Sequence, residues 1–123
     1  MRALPIRQPH AEAIMRGVKP IEYRTWLTRV RGRIFIYAAC GRYSKKEEAR
    51  LMATYGMAAE NCDDLPRGVL IGTVDLWECT PGDSERAWQF HVRNPERLKT
   101  LLRPTTRPNV KFFYPFGAKE QFS

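Results

Sequence analysis

The sequence predicts an α+β domain: a small, closed or nearly closed β-barrel of about five or six strands, with two or three short helices at its ends. The chain has 123 residues, of which 43% are hydrophobic and 11% aromatic, enough to build the core of one domain. Strand-like segments outnumber helical ones, without the regular strand–helix alternation of a doubly wound parallel sheet. We therefore expect a single domain over residues 1–123, with its binding site at the mouth or on one flank of the barrel.

The first half of the chain predicts three strands and two helices. Alternating, β-branched and aromatic residues indicate the strands, at residues 3–7, 21–26 and 32–39. Pro9 suits the first turn of a helix and Gly17 suits its end. Ser44 and Glu47 form a capping-box pattern before a second helix, which Gly56 ends. The helices are accordingly expected over residues 9–16 and 44–56.

The second half predicts further strands and one irregular connection. The strands are expected at residues 68–80, 87–92 and 109–116. Gly72, in the middle of the longest of them, indicates a bulge or a close backbone approach. The turn residues of 81–86 predict a loop, and residues 94–104 predict a short helical or irregular connection.

The positive charge is concentrated in the first fifty residues. These hold 12 Lys or Arg against 4 acids, whereas residues 51–123 hold 9 against 9, so the net charge of +8 arises in the first part. Six basic residues and a single acid lie between Arg16 and Arg33. Such a field attracts polyanions, which favours a nucleic-acid or phosphate partner. The alternative is a basic surface that only keeps the protein soluble.

Membrane, metal and disulfide chemistry are not indicated. No apolar run approaches the ~18 residues of a membrane span, and the first ten residues lack the apolar segment of a signal peptide. Cys40, Cys62 and Cys79 are widely spaced, with only two histidines in the chain, so we expect no metal site and no cofactor. The odd number of cysteines favours a reducing, cytoplasmic location. A semi-exposed Cys40 would leave a catalytic thiol open, and the sequence indicates no oligomeric state.

The stretch "RGVKPIEYRTW" carries the most specific arrangement of charges. On a strand, Glu22 and Arg24 share one face, and Lys19 lies on the approach to it. An arginine binds phosphate or a base edge with its fork of donors, a glutamate accepts from an exocyclic amine, and a lysine holds phosphate or acts as a base. The alternative is a surface charge cluster of little energetic value.

These residues resemble the ASCH domains of the PUA-like superfamily. The family signature G-x-K-x-x-E-x-R is matched by Gly17, Lys19, Glu22 and Arg24. The flanking segments are also similar, in the same order: "LPIRQPHAEAIMRG", "RGRIFIYAA", "PRGVLIGTVDLWEC" and "AWQFHVRNPERL". The resemblance extends over most of residues 3–113, so it is more specific than the four-residue signature alone.

The resemblance implies a PUA-like barrel with a cleft lined by the signature, and a function in binding RNA or a modified nucleotide. It also implies an alternative, a metal-independent hydrolase that acts on RNA phosphodiesters or on N4-acetylcytidine, with Lys19, Glu22 and Arg24 as catalytic residues. The amidohydrolases of this type carry a nucleophilic threonine where Glu22 stands here, and Thr25 would point to the opposite face of the strand. Binding is therefore the favoured interpretation.

Further ligand contacts are predicted around the signature. Gln8 could read a base edge or cap the backbone, and Arg7 precedes it at the end of the first predicted strand. Trp26, Trp77 and Trp88 could each stack on a base, although most tryptophans of strands pack in the core. Trp26 is the best placed of the three because it follows the signature. Together with Gly17, we predict that Gln8, Arg7, Trp26 and Trp88 bind the ligand.

Overall fold

The structure, a computed structural model, describes residues 1–84 and 87–117. The chain forms two α-helices and five strands there, in the order β1 (Ala3–Arg7), α1 (His10–Met15), β2 (Ile21–Arg24), β3 (Gly32–Ala39), α2 (Lys45–Thr54), β4 (Val69–Pro81) and β5 (Trp88–Leu102). A single 3-10 turn, Cys62–Asp64, lies between α2 and β4. Neither described helix has the length and apolar character needed to cross a membrane.

The five strands form one mixed sheet in the order β1-β3-β4-β5-β2. β1 and β3 run parallel, and every other pair is antiparallel. The α+β class is confirmed, but the sheet does not close into the predicted barrel. Its edge strands β1 and β2 share no ladder in the described sheet, so no backbone hydrogen bonds close the ring.

The core lies between α1 and the concave face of the sheet. It is formed by buried apolar side chains from every layer, among them Leu4, Ile6, Ile14, Ile36, Val74 and Phe90. Gly72 of β4 is needed where α1 crosses, because a Cβ there would lie 2.2 Å from Cε of Met15 and 2.6 Å from the carbonyl oxygen of Glu96. The predicted close approach is therefore confirmed, and the β4–β5 register shifts between Leu70 and Gly72.

Both predicted helices are present. The Oγ atom of Ser44 accepts a hydrogen bond of 3.1 Å from the backbone N–H of Glu47, which confirms the predicted cap of α2. The carboxylate of Glu47 pairs with Arg50 one turn further on. α1 is held at its start by Gln8, whose side-chain oxygen accepts from the backbone N–H of Glu12 at 2.9 Å.

The prediction of a helical or irregular connection over residues 94–104 is wrong, because β5 continues to Leu102. One extra β5 residue lies between the pairs Thr73–Glu96 and Asp75–Arg93, and Asn94 has a φ of 55° there. This bulge accommodates Pro95. β2 pairs only with the first residues of β5, so residues 93–102 are mostly exposed and show no apolar alternation.

The predicted last strand, residues 109–116, is also wrong. Only an isolated antiparallel bridge joins Phe113 to Ala3, with the Phe113 ring packed 5.5 Å from that of Tyr37. Pro108 and Pro115 lack the N–H groups that a ladder requires, which explains why the aromatic run forms no strand. In the predicted loop 81–86, residues 85 and 86 lie outside the described residues.

Candidate functional site

The signature begins at the C-terminus of α1, where Gly17 reverses the chain. Gly17 has a φ of +76°, a left-handed conformation that glycine adopts without steric cost. The backbone N–H groups of Val18 and Lys19 then both donate to the carbonyl oxygen of Ala13, at 3.0 and 3.2 Å. This turn brings Lys19 inward, where it is only 8% exposed.

β2 places Glu22 against both cations of the signature. Glu22 is buried, with one carboxylate oxygen 3.5 Å from Nζ of Lys19 and the other 2.9 Å from Nη2 of Arg24. The Nη2 group of Arg24 also donates to the carbonyl oxygen of Pro5 on β1. Arg24 therefore connects the two edge strands of the sheet, which no backbone ladder joins in the described residues. The predicted common face of Glu22 and Arg24 is confirmed, and Tyr23 between them is 56% exposed.

A cleft of about 770 Å³ opens between β1 and β2, the largest cavity in the described part of the chain. Both edge strands, the loop after β3 and the segment around residue 109 contribute to its walls. The lining residues are Pro5, Arg7, His10, Glu22, Tyr23, Arg24, Tyr37, Ala39, Cys40, Gly41, Tyr43, Pro108, Asn109 and Val110.

Aromatic and imidazole rings surround the signature. The Nζ atom of Lys19 lies 5.2 Å from the ring of Tyr23 and 6.0 Å from that of Tyr55. The Nδ1 atom of His10 is hydrogen-bonded to the hydroxyl of Tyr55 at 2.6 Å, and the His10 ring meets that of Tyr43 edge-on at 5.5 Å. Of these rings, which form one wall beside the signature, those of His10, Tyr23 and Tyr43 line the cleft.

Burial determines the protonation of this wall. Burial lowers the pKa of His10 below 6.5, an effect that Glu22 opposes and that Lys19 and Arg24 reinforce, so the imidazole is neutral at pH 7. Burial, with the nearby Glu22 carboxylate, raises the pKa of Tyr55 to about 12, which keeps its hydroxyl protonated. The wall is therefore uncharged at neutral pH and presents hydrogen-bonding groups.

Arg7 provides a second guanidinium on the β1 side of the cleft. Its side chain is exposed and lies over the ring of Tyr43, with 5.3 Å between the guanidinium carbon and the ring centre. Gly41 accommodates it, since a Cβ at that position would lie 3.0 Å from Nε of Arg7. Arg7 is thus positioned toward the ligand space by contacts with protein rings.

The other predicted ligand residues do not line the cleft. Gln8 is fully buried; its amide nitrogen donates to the carbonyl oxygen of Pro66 and its oxygen holds the start of α1, so the protein uses both polar atoms. Trp26 and Trp88 pack against the core, and the Trp26 ring meets that of Phe90 edge-on at 5.0 Å. The predicted ligand contacts of Gln8, Trp26 and Trp88 stay predictions. In the structure, Gln8 holds the start of α1, and the two tryptophans pack against the core.

The sequence pattern did not predict that three ring-bearing residues of the wall would lie together. His10, Tyr43 and Tyr55 are separated by 33 and 12 positions and belong to no shared periodic pattern. They meet because α2 and the loop before it fold against the start of α1. His10 directly follows the Gln-Pro pair before the first helix, which is the one local signal that could have pointed to it.

The structure thus defines a small α+β domain, with a mixed five-stranded sheet and a charged cleft between its edge strands. The ASCH domain family model matches residues 4–112, and the chain belongs to the ASCH domain family.

Curated relatives and a solved structure agree with this assignment. The chain is 41% identical to the human protein Activating signal cointegrator 1 and 34% identical to its mouse counterpart, in each case over 87% of this chain and 21% of the relative. It therefore spans about a fifth of the length of these relatives. The crystal structure of an ASCH protein from Zymomonas mobilis shares the fold, with a TM-score of 0.64 at 14% identity, over 98% of this chain and 90% of that one.

Proposed function

We propose that this ASCH domain binds RNA or a modified nucleotide in the cleft between β1 and β2. The observation that carries the proposal is the imbalance of charge around the cleft. The described cleft is lined by two arginines, Arg7 and Arg24, and by one carboxylate, Glu22, with which Lys19 pairs from outside the lining. A basic cleft of this composition retains net positive charge after its internal ion pairs form, and it attracts a phosphate-bearing ligand.

Each wall of the cleft suits a different part of a nucleotide. The exposed guanidinium of Arg7 presents donors that match phosphate oxygens. The rings of His10, Tyr23 and Tyr43 provide surfaces on which a base stacks. Glu22 has lone pairs beyond those that Lys19 and Arg24 engage, so it accepts from an exocyclic amine of a base. Phosphate binding and base recognition therefore fit one cleft.

The ion-pair geometry supports binding more strongly than hydrolysis. The groups that would act as base or nucleophile are engaged in ion pairs with one another. Nζ of Lys19 pairs with Glu22, and Glu22 in turn pairs with Arg24. Thr25 lies on the exposed side of the chain, away from Lys19 and Glu22. Cleavage of an amide or of an RNA phosphodiester would require these pairs to rearrange.

The relatives are named for a cointegrator of an activating signal. Because this chain covers only a fifth of them, the activity of the whole relatives does not transfer to it directly.

Binding of a fluorescent single-stranded RNA tests the proposal. We expect binding at about 50 mM salt and a roughly 20-fold loss of affinity by about 200 mM, as for about three phosphate contacts on a single strand. Arg7→Ala should weaken binding about tenfold and reduce the salt dependence, because it removes a charged hydrogen bond.

The control is Arg50→Ala, which removes the same charge from α2. Arg50 is exposed, pairs with Glu47 and lies outside the cleft, so the variant should bind like the wild type. Absence of binding by the wild type at low salt would refute the proposal. Equal losses in both variants would show that net charge, rather than the cleft, attracts RNA.

A further inference from the structure

Trp77 is the tryptophan with the most open position. Trp26 and Trp88 pack against the core, whereas Trp77 is 46% exposed. Trp77 lies outside the cleft described above. A single exposed hydrophobic residue is common on protein surfaces, so the case for Trp77 depends on its neighbours.

A β-bulge turns this side chain outward. In the β4–β5 ladder Leu76 pairs with Val92 and Glu78 pairs with His91, so Trp77 is the additional residue of β4. Leu76 is buried inside the sheet, whereas Trp77 and Glu78 point to the outer face. Bulges re-aim side chains in this way and are frequent beside binding sites.

Two neighbours position the indole. The guanidinium of Arg93 lies over the ring, 4.9 Å from its centre, and the imidazole of His91 lies 5.4 Å away at an angle of 55°. His91 is itself held by the hydroxyl of Thr80, at 2.7 Å from Nε2. The indole is therefore ordered, and its exposed surface lies next to a cation.

The same face of the sheet leads to the cleft. Tyr23 of β2 pairs with Gln89 of β5, and Ile21 pairs with His91, so these side chains share the outer face with the surroundings of Trp77. Tyr23 also lines the cleft. Two strand spacings, about 10 Å, separate β2 from β4, so the rings of Tyr23 and Trp77 are placed to stack on different bases.

The charges on this face are close to balance, with one cation directly against the indole. Glu78 pairs with Arg31 at 3.1 Å, and Arg33 lies 3.2 Å from Asp75 and 3.4 Å from Glu96. Arg93 is the cation that lies over the Trp77 ring. An aromatic ring with a cation beside it is the arrangement that single-stranded nucleic acids use for stacking and phosphate contact.

We propose that the outer sheet face around Trp77, Arg93 and His91 is a stacking platform for single-stranded RNA that extends out of the cleft across Tyr23. The platform rests on the proposed function, since it binds a strand whose other part occupies the cleft. It makes sequence-tolerant contacts, because every base offers a face for stacking. It adds affinity for oligonucleotides that are long enough to reach from one site to the other.

The test uses the full chain and an oligouridylate of about 12 nucleotides, within the length range of such sites. Trp77→Ala should weaken binding about tenfold, the loss of one base stack, and Trp77→Phe should retain most of the affinity. Leu101→Ala is the matched control, because Leu101 is 47% exposed, lies on β5 away from the platform, and should have no effect. RNA should quench tryptophan fluorescence in the wild type and much less in Trp77→Phe.

The outcomes separate the two proposals. One outcome is that the wild type binds RNA, that Arg7→Ala weakens binding and that Trp77→Ala binds like the wild type. This outcome refutes the platform and leaves the proposal of binding in the cleft intact. Equal losses in Trp77→Ala and Leu101→Ala also refute the platform. If the wild type does not bind the oligouridylate at about 50 mM salt, both proposals are refuted, because the ionic part of RNA binding is strongest there.

Discussion

Glu22 on β2 and Glu48 on α2 are both buried carboxylates held by two cations, but their surroundings differ. Arg42 binds Glu48 through two hydrogen bonds of 3.0 and 2.8 Å, and Arg67 lies 3.4 Å away. A second carboxylate, Asp63, pairs with Arg42. Lys45 also pairs with Asp63, so the α2 cluster holds three cations, each of them paired with at least one of two carboxylates.

The cluster around Glu22 differs in what lies beside it. Lys19 and Arg24 pair with Glu22, and the adjoining cleft is lined by a further arginine, Arg7, and by rings. The comparison teaches that a buried ion pair does not by itself indicate a functional site. The ring-lined cleft beside the Glu22 cluster is the feature on which the proposed function rests.

The largest expected effect concerns the stability of the α2 cluster. Glu48→Ala should lower the free energy of unfolding by about 3 kcal/mol, because Arg67 and Arg42 lose the carboxylate that holds them. RNA affinity should stay unchanged. Urea unfolding and RNA titration measure the two quantities, with the exposed Glu47→Ala as a control expected to change the free energy of unfolding far less than Glu48→Ala does. A parallel loss of affinity would remove the distinction between the clusters.

Arg24→Ala should affect binding more than stability. We expect about a tenfold loss of RNA affinity from the missing charged hydrogen bonds. A smaller loss of stability, about 1–2 kcal/mol, should accompany it because the bonds to Glu22 and to the Pro5 carbonyl also disappear. Arg24→Lys keeps the charge without the fork and should bind with intermediate affinity. A large fall in melting temperature with unchanged affinity would make Arg24 a structural residue only.

Acid should weaken the α2 cluster. Hydrogen bonds from Lys45 and Arg42 lower the pKa of Asp63 to about 2. A carboxylate with a lowered pKa stabilises the fold above its unfolded pKa of about 4, and this contribution is lost as the pH falls toward 2. Denaturation at pH 5 and pH 3 should therefore show a smaller difference in stability for Asp63→Asn than for the wild type. If the wild type and Asp63→Asn lost the same stability between pH 5 and pH 3, the ion pairs of Asp63 would contribute nothing to the free energy of unfolding.

The smallest expected effect is on catalysis. The pure protein should release no cytidine from N4-acetylcytidine, because Lys19 is engaged in an ion pair with Glu22 and no hydroxyl nucleophile stands at that position. Chromatography of the reaction products measures the release. Turnover that disappears in both Glu22→Ala and Lys19→Ala would promote the hydrolase alternative over binding.

Predictions that depend on neighbouring residues located most elements correctly. Predictions that depend on distant contacts failed at identifiable places. Ser44 capped α2 and Gly17 ended α1 because both effects involve neighbours within a turn. The strand at residues 93–102 was missed because it is exposed, so its side chains follow no apolar period. The expected barrel was wrong because closure depends on whether β1 and β2 form hydrogen bonds, and Arg24 joins them through its side chain instead.

The excess of basic residues between Arg16 and Arg33 shows the same limit. Three of the six pair with carboxylates far away in the sequence: Arg16 with Glu60, Arg31 with Glu78 and Arg33 with Asp75. The count of charges therefore overstated the free charge of this segment. Only the folded chain distinguishes Arg7, which faces the cleft, from arginines that hold the fold.

The sequence alone determined the ASCH signature, because Gly17 sets the turn and strand alternation puts Glu22 and Arg24 on one face within eight residues. Only the tertiary structure decided what that face meets. The sheet brings β1 beside β2, α2 carries Tyr55 to His10, and one bulge exposes Trp77. These contacts depend on packing between distant segments and on the register of the strand ladders. The local periodicity of the sequence carries no information about either.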